Sequence, residues 1–436
     1  MDYITLDNKA HASKDPSEKI QIYRDITRRA QNDPEFRKTI DSERYMNSSR
    51  AFTHLLERES KTVELKIAIL GYKVELMGKW DPFDTETGLP GSEEAAVYAS
   101  QELVKRGYQV TVYLSPPENS IWSSPFSNPR WLSEDAFYLP ENEDTYDLVL
   151  MWRRLDVNAG RKRGRVVLFW PHDSNSNTNK NIKFPNFDGI CILSQYHWNE
   201  YNDGWSGFDK IPYAICGNGI LPEQFNSPMR YINPHSLGYY SNYARGLIVL
   251  IILWPQIKAK FPNATLDVYY GRETWNTMPP KQLQFVIDKM QEYKSLGVTE
   301  HGKVGHLELA ESMQRTSILA YPCLAMGETW CITLIKAQAA GMIPVITRIA
   351  ALDETGHPEA PSLPMIKDNN DVHKYRDILF ATMGRVASTD TKEERQKYRD
   401  FASKFTWSAC VDKWLILYKS ISSKVENNKI LTTVVH

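Results

Sequence analysis

The sequence predicts an α/β fold in which two similar domains, each a parallel sheet covered by helices, face each other across a cleft. The length of 436 residues corresponds to two or three domains of roughly 150 residues each. From Leu65 onward, short apolar runs alternate with amphipathic segments, which is the pattern of parallel strands joined by helices. The same pattern begins again near residue 235, so the chain contains two units of one class.

Residues 1–60 are rich in charged side chains and predict a helical extension that precedes the two domains. Ile20, Tyr23 and Ile26 recur at helical spacing, so we expect helix from about residue 17 to residue 59, interrupted at Asp33-Pro34. No pattern in this extension indicates chemistry.

The first domain is predicted to span residues 61–225. Its apolar runs, which we expect to be strands, are residues 65–70, 110–114, 148–152, 166–170, 190–194 and 212–216. An amphipathic helix that begins near Glu93 and ends at Gly107 separates the first two runs. Strands and helices in this order predict a parallel sheet covered by helices.

The second domain is predicted to span residues 226–405. We expect strands at residues 235–240, 265–270, 317–322 and 343–347 and helices at residues 246–259, 280–294 and 333–340. Open α/β sheets bind ligands outside the carboxyl ends of their strands. The functional site should therefore lie in the cleft between the two Rossmann-like domains.

The composition argues against several other classes of protein. Hydrophobic residues make up 42% of the chain and charged residues 24%, as in globular proteins. A net charge of -1 argues against a dedicated nucleic-acid binder. The longest apolar run, residues 246–254, is too short for a transmembrane segment and predicts a buried helix. No secretory signal is recognisable, so we expect a cytoplasmic protein for which peripheral membrane contact stays open.

The loop that precedes the first long helix reads Gly88-Leu-Pro-Gly91-Ser92-Glu93. Its glycines allow close approach of a ligand, and the helix N-terminus behind it favours an anion. The alternative is a simple turn with Ser92 as the helix cap. The chain contains neither a Gly-x-Gly-x-x-Gly nor a P-loop motif, which argues against dinucleotide oxidoreductases and P-loop enzymes.

Arg245 precedes Gly246 at the start of the first helix of the second domain. An arginine at a helix N-terminus can clamp a phosphate through two hydrogen bonds. The alternative is a solvated surface arginine. His172 follows a first-domain strand in Trp-Pro-His-Asp-Ser-Asn and should face the cleft; the alternative is a loop histidine with satisfied hydrogen bonds. Ser194, at the next strand end, is a weaker candidate.

The segment from Gly327-Glu328 to Gly341-Met-Ile-Pro-Val resembles the retaining, nucleotide-sugar-dependent glycosyltransferases of the GT-B fold, in particular family four. The resemblance covers roughly residues 62–425. Its other motifs are G-L-P-G-S-E, K-R-G-Y-Q-V-T-V, A-R-G-L, P-N-A-T-L-D-V-Y-Y-G and F-T-W. It implies that residues 406–436 form a helix that crosses back onto the first domain.

The resemblance implies transfer of a sugar from a nucleoside-diphosphate donor, bound by the second domain, to a carbohydrate or other acceptor bound by the first. The anomeric configuration would be retained. Charge develops on the leaving diphosphate, and the chain has no Asp-x-Asp to hold a metal. We therefore expect no metal and no cofactor besides the donor substrate, with cationic side chains and helix N-termini stabilising the diphosphate.

The resemblance assigns roles to individual residues. Glu328 would hold donor-sugar hydroxyls, with a structural, ion-paired glutamate as the alternative. The predicted catalytic residues are Glu328, His172 and Arg245. The predicted donor-binding residues are Gly91, Ser92, Gly238, Arg245, Trp330, Cys331, Ile332, Thr333 and Lys336.

Two positions depart from the family pattern. Lys336 stands eight residues after Glu328, where a second glutamate commonly grips the ribose, and a lysine only donates hydrogen bonds. Nucleotide binding is then altered, or Lys336 pairs with a phosphate. Tyr239 stands where an arginine is expected. These departures keep a rival open, a catalytically degenerate nucleotide-sugar-binding scaffold or partner subunit; another GT-B enzyme, such as an epimerase, is a second rival.

Overall fold

The computed structural model describes residues 1–56, 65–72, 78–139, 145–175, 182–228, 233–272, 278–324 and 327–433. The N-terminal extension consists of five helices: α1 (Tyr3–Ala12), α2 (Pro16–Asn32), α3 (Pro34–Lys38), α4 (Ser42–Ala51) and α5 (Thr53–Leu56). Helices α1 to α4 each begin after an aspartate whose carboxylate accepts a backbone N–H of the first turn, which satisfies groups that helix ends leave unpaired. Helix α1 lies outside the predicted helical range of residues 17–59.

The helices of the extension enclose an apolar core of their own, and this core includes Ile121 and Phe126 from the body of the protein. Tyr23 is fully buried, and its ring stacks on Phe126 with centroids 5.3 Å apart. Ile121 joins the same cluster. The extension is therefore attached to the body of the protein through aromatic and aliphatic contacts.

The first large sheet has seven parallel strands in the order β3-β2-β1-β4-β5-β7-β9. Its strands are β1 (Lys66–Leu70), β2 (Gln109–Leu114), β3 (Arg130–Ser133), β4 (Tyr146–Trp152), β5 (Gly164–Trp170), β7 (Gly189–Ile192) and β9 (Tyr213–Ile215). The helices of this half are α6 (Gly91–Lys105), α7 (Val157–Arg161) and α8 (Gln195–Gly204). Two short strands, β6 (Ile182–Lys183) and β8 (Trp205–Ser206), pair with each other.

The second large sheet has six parallel strands in the order β12-β11-β10-β13-β14-β15. Its strands are β10 (Ser236–Tyr239), β11 (Thr265–Tyr269), β12 (Val298–Gly302), β13 (Ile318–Tyr321), β14 (Ile343–Thr347) and β15 (Ser362–Leu363). Its helices are α9 (Leu247–Lys260), α10 (Pro280–Glu292), α11 (His306–Arg315), α12 (Ile332–Ala339), α13 (Leu352–Thr355), α14 (Asn369–Ser388) and α15 (Lys392–Ala402). Short 3-10 helices lie at Pro82–Glu86, Ile121–Ser123, Glu134–Tyr138, Phe208–Lys210, Pro222–Phe225, Tyr243–Arg245 and Tyr293–Leu296.

Helix α9 confirms the prediction that the long apolar run is a mostly buried helix. The helix continues through Pro255 to Lys260, close to the predicted range of residues 246–259. Among the described helices, none is long and apolar enough to cross a membrane.

The chain passes between the two halves twice, and the two passages touch. The backbone N–H of Ile220 donates to the carbonyl of Phe405 at 2.9 Å, and Ile220 pairs with Thr406 in an isolated parallel bridge. After this bridge, α16 (Trp407–Thr433) packs on the first sheet, where Trp414 meets Trp170 with ring centroids 4.6 Å apart. Arg106, which directly follows α6, donates to Asp412 of α16 at 2.5 Å.

Candidate functional site

A cavity of about 440 Å³ lies between the two large sheets, at the carboxyl ends of their strands. We call the lining residues numbered below 220 the first wall and those above 235 the second wall. Residues that follow β4, β5 and β7 contribute to the first wall, and residues that follow β10, β11 and β13 contribute to the second. The cavity therefore occupies the cleft position predicted from the order of strands and helices.

Two helix N-termini meet at this cavity, one from each wall. Helix α6 begins at Gly91 and α12 begins at Ile332, and neither N-terminus has a side-chain cap. The interpretation of Ser92 as the helix cap is wrong, because α6 is preceded by Pro90 and Ser92 already lies inside it. A Cβ on Gly91 would lie 3.2 Å from Cγ2 of Ile332. Glycine thus allows both positive helix ends to approach one point.

Arg245 and Glu328 lie side by side on the second wall. Nη1 of Arg245 is 3.4 Å from Oε2 of Glu328, which also accepts a hydrogen bond from the Tyr321 hydroxyl at 3.3 Å. Burial raises the pKa of Glu328, and the Arg245 charge opposes this rise. The nearby Glu328 charge, in turn, raises the pKa of Arg245. Arg245 and Glu328 thus form an ion pair that lines the cavity.

The first wall presents His172 and an ion cluster around Arg153. Nη1 of Arg153 is 3.1 Å from Glu93, and Nε and Nη2 each donate to Asp173 at 2.8 Å. Burial raises the pKa of Glu93 to about 7, although Arg153 opposes the rise. Burial, Arg153 and His197 lower the pKa of His172 well below its usual value. At neutral pH the His172 ring is therefore uncharged.

Four buried polar atoms on the two walls lack a hydrogen-bond partner among the described residues. They are Oε1 of Glu94, Nε2 of His172, Oδ1 of Asn218 and Nη1 of Arg245. Leaving a buried polar atom unpaired costs about 1–3 kcal/mol, so most such atoms in folded proteins are satisfied. Their convergence on one cavity indicates a place where a polar ligand completes the hydrogen bonding.

Several contacts join the two walls directly. Nζ of Lys336 lies 2.6 Å from Oε2 of Glu94, so this lysine pairs with a carboxylate of the opposite wall. Thr329 Oγ1 donates to the His172 carbonyl at 2.9 Å. Trp330 Nε1 donates to the Asn218 carbonyl at 3.0 Å. The walls are thus in close contact in this structure.

Most of the predicted site residues line the cavity together. The lining includes Gly91, Ser92, His172, Arg245, Glu328, Trp330, Cys331, Ile332, Thr333 and Lys336. Gly238 is not among the lining residues: it lies within β10, and a Cβ there would meet the ring of Tyr240. Tyr239 is fully buried and donates to the Asn242 carbonyl at 2.7 Å. Ser194 caps α8 and donates to the Thr329 carbonyl, each bond being 2.9 Å.

Among the lining residues that were not predicted from the sequence are Glu94, Arg153 and Asn218. Arg153 directly follows β4, and polar residues at strand ends are a signal for site residues in parallel sheets. Asn218 lies in the Gly-Asn-Gly turn after β9. Glu94 follows another glutamate at a helix start, a pattern that equally predicts a solvated helix end. Within the described ranges, no three His, Cys, Asp or Glu side chains converge as a metal site.

Comparison with known proteins gives structural matches alone, since no protein-family model and no curated protein sequence matches the chain. A glycosyltransferase from Rickettsia africae shares 14% identity over 82% of this chain and 98% of its own, with a TM-score of 0.59. Sucrose-phosphate synthase from Thermosynechococcus elongatus shares 15% identity over 83% and 100%, with a TM-score of 0.57. AviGT4, a glycosyltransferase involved in avilamycin A biosynthesis, shares 14% identity over 81% and 97%, with a TM-score of 0.54.

These matches cover more than four fifths of this chain and nearly the whole length of each matched chain. Together with two parallel sheets and a cleft between them, they confirm the predicted α/β, two-domain GT-B fold. At this level of identity they establish the fold and leave the reaction to be argued from the site.

Proposed function

We propose that the protein is a glycosyltransferase that moves a sugar from a nucleoside-diphosphate sugar to an acceptor, without a metal ion and with retention of configuration. The observation that carries the proposal is Arg245, whose buried Nη1 has no hydrogen-bond partner in the described structure and lies on a cavity reached by two uncapped helix N-termini. This is a site for an anion. The structural neighbours named as glycosyltransferases support sugar transfer as the reaction class.

The diphosphate would bind between the two walls. Breaking the bond between sugar and phosphate places negative charge on the leaving oxygen, and preorganised donors stabilise that charge. Arg245 and the N–H groups of α12, from the second wall, would do so from one side and α6, at Gly91, from the other. This arrangement supports metal independence, because positive charge is supplied by the chain itself.

Glu328 would orient the transferred sugar. Its carboxylate is held by the Tyr321 hydroxyl and Arg245, and carboxylate oxygens accept hydrogen bonds from hydroxyls. His172, uncharged and opposite Glu328, has a ring nitrogen without a partner that can meet a hydroxyl of sugar or acceptor. Retention is inferred from the family resemblance of the segment around Glu328.

Calorimetry with UDP-, GDP- and ADP-sugars, with and without EDTA, tests the donor site. We expect saturable binding of one nucleotide class, insensitive to EDTA and weakened in the Glu328→Ala variant. Product analysis with candidate acceptors then tests transfer. Glu311→Ala, a change at an exposed glutamate on α11, is the matched control. Absence of binding by every nucleotide sugar would contradict the proposal.

A second candidate function has its own structural observation. Lys336 is paired with Glu94, and Tyr239 is committed to a backbone carbonyl, so neither is available for a diphosphate in this arrangement. A nucleotide-sugar-binding partner subunit without catalysis would share the fold and the cavity. Donor binding without transfer or donor hydrolysis, across the acceptor panel, would favour this second function.

A further inference from the structure

Glu94 carries a buried acceptor that no residue in the described structure satisfies. The residue is 3% exposed and is the fourth residue of α6, on the first wall. Its Oε2 lies 2.6 Å from Nζ of Lys336 and 3.3 Å from Nε2 of His306, both on the second wall. Its Oε1 has no hydrogen-bond partner, although the residue lines the cavity.

The surrounding hydrogen bonds fix which oxygen is available. Gln224 donates to the Tyr98 hydroxyl at 3.4 Å, and the Tyr98 hydroxyl lies 2.8 Å from Nδ1 of His306. Burial lowers the pKa of His306, so its ring carries one proton. Nε2 of His306 lies 3.3 Å from the Leu89 backbone N, which donates to it, and 3.2 Å from the Leu89 carbonyl, so both tautomers of this ring find a partner there. In either tautomer, Oε2 of Glu94 accepts a hydrogen bond from Nζ of Lys336, and Oε1 is the oxygen without a partner in the described structure.

The chemistry of the missing partner follows from this geometry. A carboxylate oxygen accepts hydrogen bonds and cannot donate them, so the ligand must bring a donor. A phosphate group is excluded at this point because it is an acceptor with negative charge. A hydroxyl fits, since it donates to a carboxylate at short range and a nucleoside-diphosphate sugar carries hydroxyls on both its ribose and its sugar.

We propose that Glu94 is a ligand-binding residue whose Oε1 accepts a hydrogen bond from a hydroxyl of the bound nucleotide sugar. The proposal rests on the proposed function. Lys336 holds Oε2 from the opposite wall, so the acceptor is in position only while the two walls are in contact. Hydroxyl recognition is therefore assembled from both halves of the molecule.

Calorimetry on the full chain tests this with UDP, GDP and ADP, followed by the 2′-deoxy, 3′-deoxy and glucose-linked forms of the nucleotide that binds. In the Glu94→Gln variant the amide oxygen can face Lys336, which leaves an NH₂ donor where Oε1 accepted. We expect this variant to bind the hydroxyl-bearing ligand about 10- to 100-fold more weakly. Glu102→Gln, which removes a carboxylate at the other end of α6, should bind like the wild type.

The ligand series identifies which hydroxyl is bound. If the ribose supplies it, a deoxynucleotide binds the wild type more weakly, and Glu94→Gln no longer distinguishes the two nucleotides. If the transferred sugar supplies it, Glu94→Gln weakens the glucose-linked form and leaves the free nucleotide unchanged. Glu94→Asp keeps a negative partner for Lys336 and should also weaken binding of this ligand. It provides the test if Glu94→Gln unfolds at low temperature.

Two results would overturn the inference, and they are distinguishable. If wild type, Glu94→Gln and Glu94→Asp bind every ligand equally, Glu94 does not contact the ligand, although the donor site itself is functional. Absence of binding by all three nucleotides and their sugar-linked forms in the wild type would overturn the proposed function and, with it, this assignment.

Discussion

The two walls of the cavity each contain an arginine, but the two arginines have different surroundings. Arg153 on the first wall is matched by two carboxylates, with contacts of 3.1 Å to Glu93 and 2.8 Å to Asp173. Arg245 on the second wall has one carboxylate contact, in which its Nη1 lies 3.4 Å from Glu328, and this same buried nitrogen makes no hydrogen bond in the described structure. Arg153 thus has its donors occupied by carboxylates, whereas Nη1 of Arg245 can still donate to a ligand.

This difference distinguishes the two arginines as partners for an anion. An anion gains little from a guanidinium whose donors are already occupied, and gains most from one that is desolvated and incompletely paired. Arg153 also has a left-handed backbone conformation, with φ at 56°, which a non-glycine residue adopts rarely. The contacts with Glu93 and Asp173 hold the Arg153 side chain in the first wall. We therefore expect Arg245, and not Arg153, to be the arginine that binds the donor diphosphate.

The largest expected effect comes from Arg245→Gln. Removing the incompletely paired cation should lower turnover by about 100- to 1,000-fold and weaken nucleotide binding, because charge on the diphosphate loses its partner. Steady-state kinetics and calorimetry measure the two effects. Arg272→Gln, at a more exposed arginine that pairs with Glu300 outside the cavity, is the control. If Arg245→Gln binds donor as the wild type does, the contrast between the walls fails.

Glu93 on the first wall predicts a pH dependence of stability. Its pKa is raised to about 7 by burial, so the folded protein holds this proton more tightly than the unfolded chain. The favourable contribution is complete below the usual pKa of 4.5 and disappears as pH rises through about 7. As the pH rises from 4.5 to about 7, the free energy of unfolding of the wild type should fall by on the order of 3 kcal/mol relative to that of Glu93→Gln.

Urea unfolding at acidic and at mildly alkaline pH measures this loss. Glu102→Gln, on the same helix but paired with Arg106, should show the pH dependence of the wild type. A constant difference between wild type and Glu93→Gln across this pH range would mean that Glu93 is ionised throughout, with Arg153 outweighing burial.

His172 tests whether the first wall acts on turnover. His172→Ala should lower turnover by about 100-fold, as expected for loss of one preorganised polar group, and should leave nucleotide affinity unchanged. Because the pKa of His172 lies well below its usual value, its ring adds no step to the pH profile near neutrality. His373→Ala, at an exposed histidine, is the control. A loss of donor affinity equal to that of Arg245→Gln would contradict the assignment of His172 to turnover alone.

The smallest expected effect concerns a contact that joins the two halves outside the cavity. The Glu354 carboxylate, from α13, accepts the backbone N–H groups of Gln195 and Tyr196 at 2.7 and 2.8 Å. It therefore caps α8 of the other half. Glu354→Ala should reduce the free energy of unfolding by about 1 kcal/mol, measured by urea unfolding. Glu359→Ala, at an exposed glutamate, should cause no such loss.

The sequence predicted the strands that lie inside the two sheets and the edge strand β9, and it missed the edge strands β3, β12 and β15. Interior strands such as β1 and β14 are buried on both faces, so they read as uninterrupted apolar runs. Strands β3 and β12 lie at the ends of their sheets, and β12 reads Val-Thr-Glu-His-Gly, with polar residues on its exposed side. Such strands carry no apolar run to detect. Helix α1 was missed for a related reason, since its buried residues are few and include Asp7.

The site was predictable where chemistry follows a motif and unpredictable where it depends on contacts between the two halves. Arg245 and Glu328 stand at motif positions, and both line the cavity. The partner of Lys336 could not be read from the chain, because Glu94 lies 242 positions away and has no motif of its own. The orientation of Tyr239 is set by a local bond to a backbone carbonyl, which residue type alone does not specify.

The bridge between Ile220 and Thr406 has a mechanical consequence. Both passages of the chain between the halves run through this point, hydrogen-bonded to each other, and the backbone near Thr406 occupies the space where Gly219 would carry a Cβ. Because the two passages lie so close together, they act as one pivot, and the halves can separate only by rotating about it. The parts of the cavity far from this pivot then move furthest. A side chain at position 219 would collide with the backbone of Thr406 and Trp407. It would change the angle between the two halves without touching the ligand.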